Sequence, residues 1–173
     1  MDLPGLALQT IKTYLSGREV VVPANLPIEF INSRSGAFVS IHLKDGSLRG
    51  CIGTILPTKS SIAEEVIANA ISAAMSDSRF RPITKDEISQ LEISVDVLSP
   101  PEEVQNTSML DPKRYGVIVS TVDGRQGILL PDLPGVETIS DQLRICMQKG
   151  GIAQGETISV RRFTVTRYLG STN

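Results

Sequence analysis

The order of strand and helix patterns constrains the fold of this chain more than any other feature of its sequence. A hairpin pattern, a helix pattern and a strand pattern follow one another over residues 36–99, and the same order returns over residues 115–168. Strands joined by short turns pair antiparallel, and the helices between them cover one face of the sheet. The sequence therefore predicts an α+β fold with a mostly antiparallel sheet and flanking helices.

The boundaries of these patterns come from apolar periodicity and from capping and turn residues. Helices are predicted at 3–17, at 60–77, from 84 onward over a short stretch, and at 138–149. Strands are predicted at 36–43, 48–54, 91–99, 115–120, 125–131 and 156–168. Residues 18–35 contain two prolines and a polar NSRSG run, and are predicted to form a loop.

The composition describes a soluble globular chain of 173 residues with a net charge of −2. No run approaches the roughly 18 apolar residues of a transmembrane helix, and the opening MDLPGLALQT has no basic region or continuous apolar region, so no signal peptide is expected. The near-neutral charge gives no general attraction to nucleic acid or to an anionic membrane. With three tyrosines, four phenylalanines and no tryptophan, a base-stacking platform is not expected.

The cysteine and histidine content limits the chemistry further. The chain has two cysteines, Cys51 and Cys146, and one histidine, His42. No CxxC, HExxH, GxGxxG or GxxxxGK pattern is present. We therefore predict no disulfide, no metal and no cofactor, and free thiols in a reducing cytoplasm. Cys146 falls in the apolar series of the helix at 138–149 and is predicted to be a core residue.

The first hairpin predicts which side chains surround Cys51. If Asp45-Gly46 forms a two-residue turn, Ser40 pairs with Cys51 and His42 pairs with Arg49. Because side chains alternate across a strand, one face is predicted to be apolar and to carry Val39, Ile41, Leu43, Leu48 and Ile52. The other face is predicted to be polar and to carry Ser40, His42, Arg49 and Cys51. A three-residue loop would shift this register by one residue.

Two interpretations of this polar face remain open. In the first, His42 and Arg49 approach the sulfur of Cys51, where a cation favours the reactive thiolate. In the second, Cys51 is a small buried hydrophobe, His42 is hydrogen-bonded locally, and Arg49 holds two elements together through a carboxylate such as Glu92.

For the glycines and for the SRFRP stretch, a ligand-binding interpretation and a structural interpretation both remain open. Gly50 and Gly53 either allow a ligand or another backbone to approach the strand, or mark a bulge. At 78–82, Arg79 and Arg81 flank Phe80, and the three side chains either hold an anion or planar ligand, or comprise a buried aromatic anchor with two solvated arginines.

Several segments together resemble the AMMECR-type domain, the family named after the candidate-region protein of the AMME syndrome and also called AmmeMemoRadiSam system protein A. The similar segments are GAFVSIHLKDGSLRGCIG, IAEEVIANAISAAMSDSRFRPIT, LEISVDVLSPPEEV, GRQGILLPDLPGVET and VRRFTVTRY, which span roughly residues 3–170. The family commonly has a tryptophan or another bulky residue soon after the LLP segment, whereas this chain has no tryptophan and has Thr138-Ile139 there. Its segment before the last strand is also short.

The resemblance implies a single AMMECR-type domain over residues 1–173, with a larger and a smaller lobe around a cleft near the RGCIG strand. It implies partnership with a Memo-like protein and a radical S-adenosylmethionine enzyme, and it establishes no reaction. The catalytic candidates are Cys51, Glu92 and His42. The binding candidates carried over from the family's motif are Arg49, Gly50, Ile52, Gly53, Asp77, Arg79, Phe80 and Ser94. Two functions follow as expectations: a cysteine-dependent enzyme or enzyme subunit, or a non-catalytic module that binds a small anion or peptide or acts as a scaffold, with Cys51 structural.

Overall fold

The computed structural model describes residues 1–170, which form two compact units, each with a four-stranded antiparallel sheet. Among the described residues, the larger, first unit comprises Met1–Leu98 and 166–170, and the second unit comprises Ser99–Val165. Helices accompany both sheets, so the predicted α+β class is confirmed. Among residues 1–170, none of the helices combines the length and apolar character that crossing a bilayer requires.

The first unit places two main helices on one face of its sheet. Its helices are α1 (Leu3–Leu15), the short α2 (Ile28–Asn32) and α3 (Ile62–Met75), and a 3₁₀ turn covers Lys85–Gln90. Its strands are β1 (Ala37–Leu43), β2 (Leu48–Gly53), β3 (Leu91–Leu98) and β8 (Val165–Leu169), in the order β2-β1-β3-β8. The helix α3 begins where predicted, because the Ser61 hydroxyl caps the amide of Glu64. Its apolar stripe packs with α1 on Val39, Ile41 and Val95 of the sheet.

The second unit has one helix on a sheet of its own. Its strands are β4 (Glu102–Glu103), β5 (Gly116–Thr121), β6 (Gln126–Leu129) and β7 (Ile158–Phe163), in the order β4-β7-β5-β6. A 3₁₀ turn covers Thr107–Met109, and α4 covers Ile139–Lys149. Thr138 caps α4 through the amide of Asp141, and Cys146 of α4 is fully buried, as predicted. The helix thus begins at Ile139, which packs against the core of the second unit.

Two predicted segments differ in the structure. The predicted loop at 18–35 contains α2, whose Phe30 is buried and lies edge-on to Tyr168 at 5.6 Å between ring centroids. The predicted strand at 156–168 is divided into β7 and β8. Thr164 separates them because its backbone groups bond to Ser99 and not to a neighbouring strand. The Thr164 carbonyl accepts from the Ser99 amide, and the Thr164 amide donates to the Ser99 hydroxyl. The run contains no proline or glycine that would have indicated this break.

Both hairpins use the same turn, and it differs from the predicted two-residue turn. In the first, the amide of Leu43 donates to the carbonyl of Ser47, which leaves the three-residue loop 44–46. In the second, the amide of Thr121 donates to the carbonyl of Arg125, which leaves the loop 122–124. The last loop residue is a glycine with positive φ in each case, +84° at Gly46 and +88° at Gly124.

The repeated order of patterns corresponds to a repeated topology. In β1–β2–α3–β3 and in β5–β6–α4–β7, the last strand pairs antiparallel with the first strand of the hairpin. The helix also touches the hairpin at a glycine in each unit. A Cβ on Gly50 would lie 2.3 Å from the carbonyl oxygen of Ala73, and one on Gly127 would lie 1.8 Å from that of Cys146. Only glycine permits this approach of a helix to the second hairpin strand.

Candidate functional site

Cys51 lies on β2 at an edge of the first unit's sheet, directly opposite Ser40. Its backbone groups point away from β1, because its amide donates to Asp77 Oδ2 at 2.9 Å and its carbonyl accepts from Arg79 Nη2 at 3.2 Å. The pair is therefore of the non-hydrogen-bonded type, in which opposing side chains are closest. Accordingly, Cys51 Sγ lies 3.3 Å from Ser40 Oγ, and the Cys51 side chain is partly exposed.

A loop after α3 brings a carboxylate and a guanidinium to this strand edge. Asp77 is buried and accepts hydrogen bonds from Arg79 Nε at 3.0 Å, from Arg79 Nη2 at 2.7 Å and from the Arg79 amide at 3.1 Å. These bonds, with the one from the Cys51 amide, hold the pKa of Asp77 far below its ordinary value. Asp77 is thus an ionised anchor that fixes Arg79 next to Cys51.

Arg79 presents a positive charge beside the thiol while remaining accessible. Its side chain is 54% exposed, and its guanidinium lies 5.4 Å from the ring centroid of Phe80. Hydrogen bonding to Asp77 raises the pKa of Arg79, and interaction with the Cys51 side chain raises it further. The predicted cation near the sulfur is therefore present, but it is Arg79.

Arg49 does not share the face of Cys51, and that part of the prediction is wrong. The register shifts between Ile41 and His42, so that His42 pairs with Leu48 and Arg49 is an additional, bulged residue. Leu48, predicted to be in the core, is 38% exposed, whereas Arg49 is buried. The bulge exchanges the expected positions of these two side chains.

The buried guanidinium of Arg49 is occupied by contacts within the first unit. It binds Glu87 through Nε at 2.8 Å and Nη2 at 3.2 Å, and Nη1 donates to the carbonyl of Arg81 at 2.9 Å. A longer contact of 3.4 Å reaches the carbonyl of Pro82. Hydrogen bonds from Arg49 lower the pKa of Glu87 to about 2. Arg49 does join two elements through a carboxylate, as the second interpretation held, but the carboxylate is Glu87 and not Glu92.

The two glycines of the motif lie against protein groups. Gly50 lies against the Ala73 carbonyl of α3, as described above. Gly53 pairs with Phe38, and a Cβ at Gly53 would lie 2.2 Å from the Phe38 ring. Ile52 pairs with Val39 and packs against the core on the helix side of the sheet.

Other candidates align in rows across the three strands. Ser94 pairs with Ser40, which gives a row of small polar side chains that runs from Cys51 through Ser40 to Ser94. The next row runs from Leu48 through His42 to Glu92. In this row His42 is partly exposed and Glu92 is exposed. The structure thus brings His42, Glu92 and Ser94 onto the same face as Cys51.

Sequence reasoning missed the residue that holds the chain after β2. The buried carboxylate of Glu65 accepts from the hydroxyls of Thr54 and Thr58, at 2.7 and 2.8 Å, and from the amides of Thr58 and Lys59, at 2.7 and 2.8 Å. Burial alone would raise the pKa of Glu65, but these hydrogen bonds, of which the Thr54 bond is the largest contribution, lower it. One turn later, Asn69 donates to the Ala37 carbonyl at 2.9 Å. The signal was present as two polar residues spaced i, i+4 within the buried stripe of α3.

This fold and this strand define a class of proteins, and the chain belongs to it: a sequence model of the AMMECR1 family matches residues 4–172. The chain is 50% identical over 165 residues to a protein of Thermotoga maritima, covering 94% of both chains. It is 44% identical over 168 residues to a Clostridium acetobutylicum protein, of which it spans 35% of the length. The crystal structure of the uncharacterised protein PH0010 from Pyrococcus horikoshii has the same fold, with a TM-score of 0.85, 30% identity, and coverage of 95% of this chain and 88% of that one.

Proposed function

We propose that this AMMECR1-family chain is a cysteine-dependent enzyme or enzyme subunit that acts on a small anionic molecule in the cytoplasm. Cys51 supplies the nucleophilic thiol, and Arg79 binds the anion. Ser40 donates a hydrogen bond to the sulfur as it ionises, and His42 and Glu92, in the neighbouring row, are the candidates for proton transfer.

The observation that carries this proposal is the placement of Arg79. A buried carboxylate, Asp77, holds its guanidinium next to Cys51, while 54% of its side chain stays exposed. Such a group stabilises a thiolate and attracts an anionic reactant to it. Among residues 1–170, Nη1 of Arg79 makes no hydrogen bond, so it is available to a ligand.

The second unit supports the assignment by contrast. Its hairpin pair equivalent to Ser40 and Cys51 is Ile118 and Ile128, since each pair is one residue beyond the pair that contains the helix-contacting glycine. At the equivalent positions of the same topology, the second unit therefore has two apolar side chains in place of a thiol and a hydroxyl. The polar row is a property of the first unit and not of the fold.

Alkylation with a charged and an uncharged reagent tests the proposal. In a Cys146→Ala background, we expect Cys51 to react faster with iodoacetate, relative to iodoacetamide, than free cysteine does, because Arg79 attracts the carboxylate. Arg79→Gln should remove this preference, and Arg81→Gln, a change of an exposed arginine two residues away, should retain it. A Cys51 that reacts only after unfolding, or whose preference is unaffected by Arg79→Gln, contradicts the proposal.

A non-catalytic binding module is the second candidate. The observation that favours it is that the Asp77–Arg79 loop binds both the amide and the carbonyl of Cys51. Such contacts are also expected of a residue whose role is to pack the floor of a site. In this case Cys51→Ser should leave in-cell function intact, whereas Arg79→Gln should abolish it. Loss of function in both variants supports the enzyme.

We also propose that the chain works with a Memo-like protein and a radical S-adenosylmethionine enzyme, as the family resemblance implies. Co-expression followed by affinity purification tests this proposal, and partners that elute separately at low salt contradict a stable complex.

A further inference from the structure

The second unit contains a small cavity with two arginines beside one aromatic ring. The cavity has a volume of about 250 Å³ and is lined by Ser99, Glu102, Arg114, Tyr115, Arg162, Phe163 and Thr164. Arg162 lies over the Tyr115 ring with 4.3 Å from Cζ to the centroid, and Arg114 approaches the same ring at 5.2 Å. None of these residues belongs to the Cys51 site.

The ring and one guanidinium are held in place from several sides. Gln142, which is fully buried in α4, donates to the Tyr115 carbonyl at 2.7 Å. Arg162 donates through Nη1 to the Met109 carbonyl at 2.6 Å, and its side chain is only 19% exposed. The Tyr115 ring and the Met109 carbonyl together fix the position of the Arg162 guanidinium. Arg162 is therefore a preorganised donor at the wall of the cavity.

The positive charge at this cavity is incompletely balanced. Nε and Nη2 of Arg162 both contact a single oxygen of Glu102 at 3.3 Å, which is longer than a charge-assisted bond and is not the parallel two-oxygen arrangement. Glu102 is itself 68% exposed. Within residues 1–170, the Arg114 guanidinium has no carboxylate or hydrogen-bond partner, and its contact is with the Tyr115 ring. Two guanidinium groups thus face one weakly held carboxylate.

We propose that this cavity binds a phosphate group, either as inorganic phosphate or as a small phosphate monoester. Arg162 donates from the wall, Arg114 closes over the oxyanion, and the hydroxyls of Tyr115 and Thr164 are further donors on the lining. A phosphate offers more acceptor oxygens than Glu102 and carries more charge, so it displaces that carboxylate from Arg162. The volume accommodates the phosphate with a short substituent.

Calorimetric titration of the full chain with inorganic phosphate tests the proposal, with sodium chloride keeping the ionic strength constant. We expect saturable binding with a Kd of about 1 mM or tighter. Arg114→Gln should weaken it roughly tenfold, as the loss of a charge-assisted hydrogen bond does. Glu102→Gln should tighten it several-fold, because the competing carboxylate is gone. In Arg79→Gln, which lacks the anion-binding group proposed for the Cys51 site, saturable phosphate binding should persist, which separates this cavity from that site.

Two results would overturn the proposal, and a second titration distinguishes inorganic phosphate from a phosphate monoester. No saturable binding at about 10 mM phosphate, ten times a millimolar Kd, overturns the proposal. Binding that is lost in Arg79→Gln and kept in Arg114→Gln also overturns the proposal, because the anion is then bound at the Cys51 site. Titration with glycerol phosphate distinguishes the sources: tighter binding than that of inorganic phosphate assigns the site to monoesters, and weaker binding assigns it to the free ion. Movement of the Tyr115 and Thr164 amide resonances should accompany binding in either case.

Discussion

The sulfur of Cys51 lies 3.3 Å from the hydroxyl oxygen of Ser40, across a pair of strands whose backbone groups at this point are directed away from each other. A hydroxyl at this distance stabilises a developing thiolate as a hydrogen-bond donor. We therefore expect the Ser40 hydroxyl to affect the reactivity of the Cys51 thiol.

Ser40→Ala should lower the rate at which Cys51 reacts with iodoacetamide at neutral pH by several-fold, because the thiolate loses its donor. Stopped-flow labelling in the Cys146→Ala background measures this rate. Ser94→Ala is the matched control, since Ser94 lies in the same row one strand farther from the sulfur. An equal effect of the two substitutions would show that the Ser40 hydroxyl has no particular role.

Arg49→Lys should destabilise the first unit by about 2–4 kcal/mol, although the charge is retained, because an ammonium cannot reproduce the bonds to Glu87 and to the Arg81 carbonyl together. Urea unfolding measures the change. Arg81→Lys, at an exposed position, should change the free energy of unfolding by less than about 0.5 kcal/mol. Comparable values for both variants would contradict the buried role of Arg49.

Gly50→Ala and Gly127→Ala should each destabilise the fold by about 3 kcal/mol or more, because the added Cβ meets a helix carbonyl oxygen at 2.3 and 1.8 Å. Gly46→Ala is a contrasting case. It introduces a left-handed residue with φ of +84° but no clash within 4 Å, and should cost only about 1 kcal/mol. Thermal unfolding should rank the variants in this order, and a Gly50→Ala variant as stable as Gly46→Ala would show that the helix can move away.

Acid should weaken the first unit through Glu87. Its pKa is about 2 in the folded chain and near 4.5 in the unfolded chain, so the unfolded state binds the proton first as the pH falls. The stabilisation is fully present above pH 4.5 and is lost between about pH 4.5 and 2. With allowance for its partial exposure, the loss is about 1–2 kcal/mol. Glu87→Gln should reduce the slope of stability against pH in this range, whereas Glu92→Gln, at an exposed position, should preserve it.

The pairing of Cys51 with Ser40 could be predicted from the sequence, although the two-residue turn from which it was predicted is wrong. The turn has three residues instead of two, which shifts the register by one, and the bulge at Arg49 shifts it back before Ile41. Residues beyond the bulge therefore pair as predicted, and those between the bulge and the turn do not. Gly50, which the sequence offered as a mark of a bulge, does adjoin it, but the identity of the bulged residue depends on the burial of Arg49 against Glu87, which is 38 positions away in sequence.

The place of Arg79 could not be derived from periodicity. The SRFRP stretch showed that two arginines flank an aromatic ring, but the choice between anion site and solvated surface depends on Asp77. That carboxylate reaches from the end of α3 to the amide of Cys51, 26 positions earlier. The division of the last predicted strand at Thr164 has the same origin, in contacts with a distant residue, Ser99.

The loop that holds Arg79 also affects whether the chain can self-associate. An edge strand offers its outward amide and carbonyl to any other extended chain, and proteins limit such pairing by covering those groups. On β2, Asp77 covers the outward amide of Cys51 and Arg79 covers its carbonyl. A chain without this pair would present the strand carrying its thiol to neighbouring molecules, so substitutions at Asp77 should be recognised by the formation of aggregates as well as by lost reactivity.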